Sequence, residues 1–303
     1  MGVDVRIVVY AQNRNQAERA CAAVFEKFAE LDTIMSDYRD NSELMQLCAK
    51  AGGPPVPVSE ELFRVLARSQ ELAQRSDGAF DITCSPIVRL WRTARKTHVL
   101  PTDLELANAR AVVGWKNLVL DPDARTAQLL LPGMLLDLGG IGKGYANDLA
   151  QAVLRRHGIR CALVESGGDI VVTDSPPGTQ GWRIQAQIHT DNLPKVDPSD
   201  GKTMLLANCA ISTSGDTEQF VEIGGKRFSH IIDPRTGQAL TNRIGVMVIA
   251  RDGLTSDGLT KPISILGVER TRKLVKTYAG ARIWVGHDSG DEKPTPRGDL
   301  RTP

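Results

Sequence analysis

Aromatic side chains are scarce: Phe, Trp and Tyr make up 5% of the 303 residues, too few for the stacking platforms that hold single-stranded nucleic acid. Charge of one sign is also missing. The 37 basic and 36 acidic residues leave a net +1, which argues against a nucleic-acid or anionic-membrane surface working through bulk charge. No apolar run reaches the roughly 20 residues of a membrane-spanning helix. No charged-then-apolar leader opens the chain, because residues 3–11 already read as a strand. This suits a cytoplasmic protein, or an exported one whose leader has been removed. The five cysteines, Cys21, Cys48, Cys84, Cys161 and Cys209, form no CxxC pair and are odd in number, against a zinc site and against a disulfide framework. They read as small buried hydrophobes; Cys84, beside an acidic turn at Asp81, is the one to watch.

What is present is the composition of a globular domain, 41% hydrophobic and 24% charged. The apolar positions Ala17, Cys21, Val24, Phe28, Leu31 and Met35 recur at helical spacing, which predicts a helix over 15–35. Ser59 reads as the N-cap of a second helix carrying Leu62, Val65, Leu66 and Leu72. Residues 94–131 read as short elements and turns. Residues 134–138 read as an apolar strand that enters a glycine-rich turn and a helix over 144–156, with another strand over 161–164. From 182 to 250 the pattern is mainly strand, with a hairpin turn at Gly224-Gly225. Two helices come next, near 257–266 and 268–278, then a strand over 281–285. The expectation is a single α+β domain over 1–285, with a mainly antiparallel sheet system flanked by helices, and a disordered polar tail over 286–303.

Two segments carry the strongest chemical signal. In the run from Asp137 to Ala146, Gly139, Gly140, Gly142 and Gly144 surround Lys143. Glycines let backbone N–H groups approach a phosphate, a helix N-terminus adds partial positive charge, and lysine adds a full one. The spacing is neither a Walker P-loop nor GxGxxG, and alone it suits a tight structural turn equally well. The run from Phe228 to Gly237 places His230 three residues before Asp233 in a turn-forming Asp-Pro-x-x-Gly. His230 suits a general base with a carboxylate nearby, or a histidine satisfied by turn backbone. Thr213-Ser214-Gly215 offers small hydroxyls for phosphate or ribose, Asp81 puts a carboxylate in a turn, and Tyr38 is a single aromatic in a polar loop, a candidate lid for a planar ring.

Taken together and in order, these segments resemble the ApbE family of FAD:protein FMN transferases. The resemblance rests on Ser36-x-Tyr38 with Ser42-Glu43-Leu44, on Gly78 to Thr83 followed by Trp91, and on Asp137 to Ala146. It continues through Gly167-Gly168-Asp169, Thr213-Ser214-Gly215, Ser229 to Gly237, and Asp257 ahead of Leu266-Gly267. It implies a T-fold-like domain that binds FAD and Mg²⁺ and links FMN through a phosphoester to Thr or Ser of a target protein; some members instead hydrolyse FAD to FMN and AMP. It further implies His230 as base, Lys143 as a phosphate contact, and Asp257 with the Gly142 carbonyl as metal ligands. Tyr38, Asp81 and Thr213 would line the flavin or adenosine pocket, and export would be expected of such an enzyme.

One departure stands out. Four residues after Asp257, where the family carries a metal-binding threonine, this chain has Lys261 followed by Pro262. An ammonium has no lone pair to donate to a metal. Thr260 could turn in as a ligand, the ammonium could take the cation's place, or the metal could bind weakly. Beside protein flavinylation, the residues thus leave open an FAD-hydrolysing or flavin-binding relative, or an inactive one.

Overall fold

The computed structural model describes residues 2–188, 190, 193, 203–215 and 220–287. Its centre is a sheet of β1 (Val5–Tyr10), β2 (Cys161–Ser166), β3 (Asp169–Val172), β4 (Cys209–Ser214), β5 (Ile244–Ala250) and β6 (Arg282–His287). The strands lie side by side in chain order, every neighbouring pair antiparallel. Strand side chains alternate between faces, and here both faces are covered. Val246 and Val248 join the core that holds Leu259 and Ile263, while Met247 and Ile249 pack with Trp182, Ile184 and Met204. That double burial is why β5 reads as a continuous apolar run rather than an alternating one.

The helices are α1 (Arg14–Met35), α2 (Glu43–Ala49), α3 (Glu60–Arg75), α4 (Ser85–Thr97), α5 (Asp103–Ala111), α6 (Gly142–Arg156) and α7 (Gly253–Lys276). The expected α+β class holds, and the Ser59 cap bonds to the Leu62 N–H as its position predicts. Helix α7 breaks at Gly267, with φ 76°, which leaves two helical pieces close to the expected boundary. None of the described helices is long and apolar enough to cross a membrane.

Three local expectations need correction. Within 94–131 the chain completes α4 and forms α5, whose start is a capping box between Thr102 and Glu105. Residues 134–138 form no strand: the segment is buried, but its one ladder contact is an isolated bridge from Leu135 to Cys84. The last strand runs on to His287, so Gly286 belongs to the sheet. The rest of the expected tail, 288–303, lies outside the described residues.

The crossing of α6 and α7 sets the position of the polar groups at the start of both helices. Helix α6 begins at Ile141 with no side-chain cap of its own. The missing acceptor comes from α7: Asp257 Oδ2 accepts the Gly144 N–H at 3.2 Å. In return, Asp148 of α6 accepts the N–H groups of Gly253 and Leu254, at 2.7 and 2.9 Å, which open α7. The helices therefore cap each other, satisfying N–H groups that an isolated helix end leaves without partners. Burial, against those two N–H bonds, pushes the Asp148 carboxyl up from 3.8 to about 7. Between those values the folded state holds more proton than the unfolded one, so this group's contribution to stability falls as pH rises. Asp148→Asn removes that term, and the variant's melting temperature relative to the parent should climb between about pH 5 and pH 7. A difference that stays flat across that interval contradicts the assignment.

Candidate active site

The glycine turn uses most of its own backbone donors. Gly139 N–H bonds the Asp137 carboxylate at 2.7 Å, and Ile141 and Gly142 bond the Leu138 carbonyl at 3.1 and 2.8 Å. Gly144 is taken by Asp257, and Tyr145 bonds the Ile141 carbonyl. The N–H groups of Gly140 and Lys143 are left without a protein acceptor among the described residues.

Lys143 Nζ forms an ion pair with Asp169. The neighbouring turn of α6 secures the same residue, since Asn147 donates to the Asp169 carbonyl at 2.9 Å. Burial opposes the Lys143 charge, but the carboxylates of Asp257 and Asp169 outweigh it and raise the ammonium's pKa. The Asp169 carboxyl is pushed up to about 6, chiefly by burial and then by repulsion from Asp257, with Lys143 and Lys261 working against the rise. Lys261 Nζ stands 3.6 Å from Asp257 Oδ1. Two buried carboxylates and two lysines thus meet at the N-terminus of α6, with the lysine side chains still 23% and 22% exposed. In the sequence, Asp169 stands out only as the end of a Gly-Gly-Asp turn; its role rests on a contact 26 residues away in the chain.

Strand β4 brings in the hydroxyl cluster. Ser212 and Ser256 share a 2.8 Å hydrogen bond, which ties β4 to α7 one residue before Asp257. Thr213 pairs with Met247 of β5, and the buried Ser214 hydroxyl has no partner among the described residues. Gly215 comes directly after the strand end.

Of the remaining expected residues, Asp81 lines a second feature, a cleft of about 230 Å³ walled also by Gly78, Trp115, Pro234 and Arg235 among others, and His230 and Asp233 belong to the chain segment that supplies Pro234 and Arg235. Asp81 itself is engaged by its own turn and by its neighbour: its oxygens accept from the Thr83 N–H and hydroxyl and from the Trp115 N–H, at 2.8, 2.7 and 2.9 Å. It holds the cleft wall in shape. Asp233 is held by Arg235, whose backbone N–H, Nε and Nη2 reach it at 3.0, 2.9 and 2.7 Å; these bonds lower its carboxyl pKa against the burial that would raise it. The carboxylate expected to serve His230 is therefore committed to the arginine of its own turn. His230 is half-buried just beyond the short strand Lys226–Ser229. The turn is anchored from α4, where Trp91 Nε1 donates to the Gly237 carbonyl at 2.9 Å.

The two features adjoin. A side chain added at Gly140 would meet Lys261 Cγ at 3.3 Å and Phe80 Cε2 at 3.6 Å, so the glycine turn touches both the lysine cluster and the segment that carries Asp81. Arg92 of α4 binds both Asp137, which opens the glycine turn, and Asp37, and it stacks 4.8 Å from the centre of the Tyr38 ring. Tyr38 is 74% exposed, a flat ring backed on one face by a guanidinium. Burial, with Asp137 and Asp81 nearby, pushes the Cys84 thiol well up.

A glycine turn with backbone N–H donors and lysines at a helix start is a class of site that can take an anion, and this antiparallel α+β domain has one, its two lysines paired with two buried aspartates. Comparison with known proteins makes that class specific. The model of the ApbE family matches residues 1–284, and the chain belongs to that family. A FAD:protein FMN transferase of Klebsiella pneumoniae is 31% identical over 281 residues, covering 91% of this chain and 79% of that protein. One from Vibrio cholerae is 33% identical over 245 residues, covering 80% and 71%. Among solved structures, the flavin transferase ApbE from Vibrio cholerae superimposes with a TM-score of 0.79 at 27% identity, covering 96% of this chain and 95% of that one. The apo form of the Pseudomonas stutzeri flavinyl transferase ApbE gives 0.77 at 26% identity, covering 93% and 90%.

Proposed function

We infer that this chain is an FAD:protein FMN transferase: it binds FAD, cleaves its diphosphate and joins the FMN half to a Ser or Thr hydroxyl of another protein. The observation that carries the reading is the lysine cluster at the start of α6 in a chain whose relatives bear that name along most of its length.

In the reaction, the acceptor hydroxyl oxygen forms a bond to the FMN phosphorus. The bond from that phosphorus to the bridging oxygen breaks, and AMP leaves with the bridging oxygen. His230 takes the hydroxyl proton, a role suited to a group that titrates near neutral pH. Lys143, held charged by its two carboxylates, and the N–H groups of Gly140 and Lys143 face the diphosphate and offset the charge that builds on the leaving AMP. Thr213, Ser214 and Gly215 supply hydroxyl and backbone contacts, and Tyr38 covers a flat ring.

A magnesium ion at Asp257 does not fit the donors present. Asp257 already caps α6 and stands beside the Lys261 ammonium, while Asp169 is paired with Lys143. Among the described residues, no group of three or more His, Cys, Asp or Glu is arranged to hold a metal ion. Every step of the reaction is therefore assigned to the chain's own groups.

Incubation with FAD and a flavin-accepting protein should yield AMP and covalent, fluorescent flavin on the acceptor in equal amounts. AMP with no label would assign the chain to FAD hydrolysis, and FAD bound but intact would leave it a flavin carrier.

A further inference from the structure

Lys261 is placed with unusual care for a lysine of no function. Its stem runs against the backbone of Gly140, where a Cβ would lie 3.3 Å from Cγ and 3.5 Å from Cε. Its ammonium lies 2.9 Å from Thr260 Oγ1 and 3.6 Å from Asp257 Oδ1. The Thr260 hydroxyl is buried and donates its proton to the Asp257 carbonyl at 2.7 Å, so its oxygen is turned towards the ammonium as an acceptor. Thr260 is thus committed to Lys261 and is not free to turn elsewhere as a ligand. Lys143 is bound to Asp169, and both ammonium groups act on the same two buried acids. The glycine turn against which Lys261 packs has two N–H groups without an acceptor among the described residues. This arrangement meets a diphosphate with two fixed point charges, a compact strongly hydrated kind of cation that can approach phosphate oxygens closely.

We propose that the Lys261 ammonium is the second cation of the diphosphate site, standing where a divalent metal would otherwise sit on Asp257, so that FAD cleavage by this chain needs no divalent metal. The proposal rests on the transferase reading. The bonds made and broken are those of that reaction; Lys261 neither gives nor takes a proton and only offsets charge on the leaving AMP.

The test compares the parent with Lys261→Thr, which removes the ammonium and offers an oxygen, and Lys261→Met, which removes the charge and keeps the length. AMP release from FAD is measured with the flavin-accepting protein present, in EDTA and in millimolar MgCl₂, and Mn²⁺ binding to each protein without FAD is read from the loss of the free-ion EPR signal. The parent should release AMP in EDTA within about three-fold of its rate in MgCl₂, and should take up little Mn²⁺. Lys261→Thr should lose activity in EDTA on the order of 100-fold, regain it with Mg²⁺ and bind Mn²⁺; Lys261→Met should be slow in both. A parent that depends strictly on Mg²⁺, or that binds Mn²⁺ as tightly as Lys261→Thr, overturns the proposal. If no protein releases AMP under any condition, the transferase reading fails, and the Mn²⁺ titration still decides where Lys261 stands. Thermal melts check that both variants remain folded once the ammonium beside the buried Asp257 carboxylate is removed.

Discussion

His230→Ala should abolish release of AMP from FAD, with a loss of 10²- to 10⁴-fold expected on the order of what a positioned general base contributes. FAD affinity should stay within a few-fold, because the groups assigned to the diphosphate lie on other elements: Lys143 on α6 and Lys261 on α7. The turn itself should survive. It is held by Arg235 on Asp233, by Trp91 on Gly237, and by the Arg110 guanidinium on the Arg235 carbonyl at 3.0 Å, none of which involves the imidazole. The kinetic signature is therefore a fall in kcat with little change in KM. Turnover at the parental rate would remove His230 from the mechanism, and a collapse in FAD binding would recast it as a binding residue.

Gly144→Ala should have the largest effect on stability of any single methyl added to this chain's site. A Cβ there would stand 2.0 Å from the Gly253 carbonyl oxygen and 2.8 Å from Asp257 Cβ. The first obstacle is backbone, so no rotamer change relieves it, and the two helices must separate. The cost should reach about 3 kcal/mol or more, the upper range for overpacking. The same separation withdraws Asp257 from the Gly144 N–H and Asp148 from the start of α7, so the lysine cluster loosens with the crossing. Urea unfolding should show a lowered midpoint together with lost FAD cleavage. An unchanged midpoint would mean that the helices do not touch at these glycines.

Much of the fold is legible in residue order because it depends on local rules. The spacing of Val24, Leu31 and Met35 places α1, Ser59 places the start of α3, and Gly224-Gly225, at φ 60° and 74°, turns the hairpin as two left-handed residues must. The Thr102-x-x-Glu105 box is equally local, and an expectation of short elements and turns across it misses α5. The segment 134–138 differs for another reason: a short buried apolar run looks the same whether or not its backbone joins a ladder. At the site, the glycine turn and the aspartates stand out as residue types, but their partners do not. Lys143 with Asp169, Asp148 with Gly253, and Arg92 with both Asp37 and Asp137 are contacts across 26 to 105 residues. Asp233 shows the converse. Its nearest arginine, two residues on, claims the carboxylate that the sequence offers to His230.

The central claim is that the lysine-bearing turn of α6 and the histidine-bearing turn after residue 229 work on one diphosphate. The most direct measurement is a crystal structure of His230→Ala with intact FAD bound. The account predicts the diphosphate within hydrogen-bonding reach of the Lys143 and Lys261 ammonium groups and of the Gly140 N–H, with the emptied imidazole position facing the FMN phosphorus. A diphosphate bound away from the start of α6, or one whose FMN phosphorus faces away from residue 230, would contradict it.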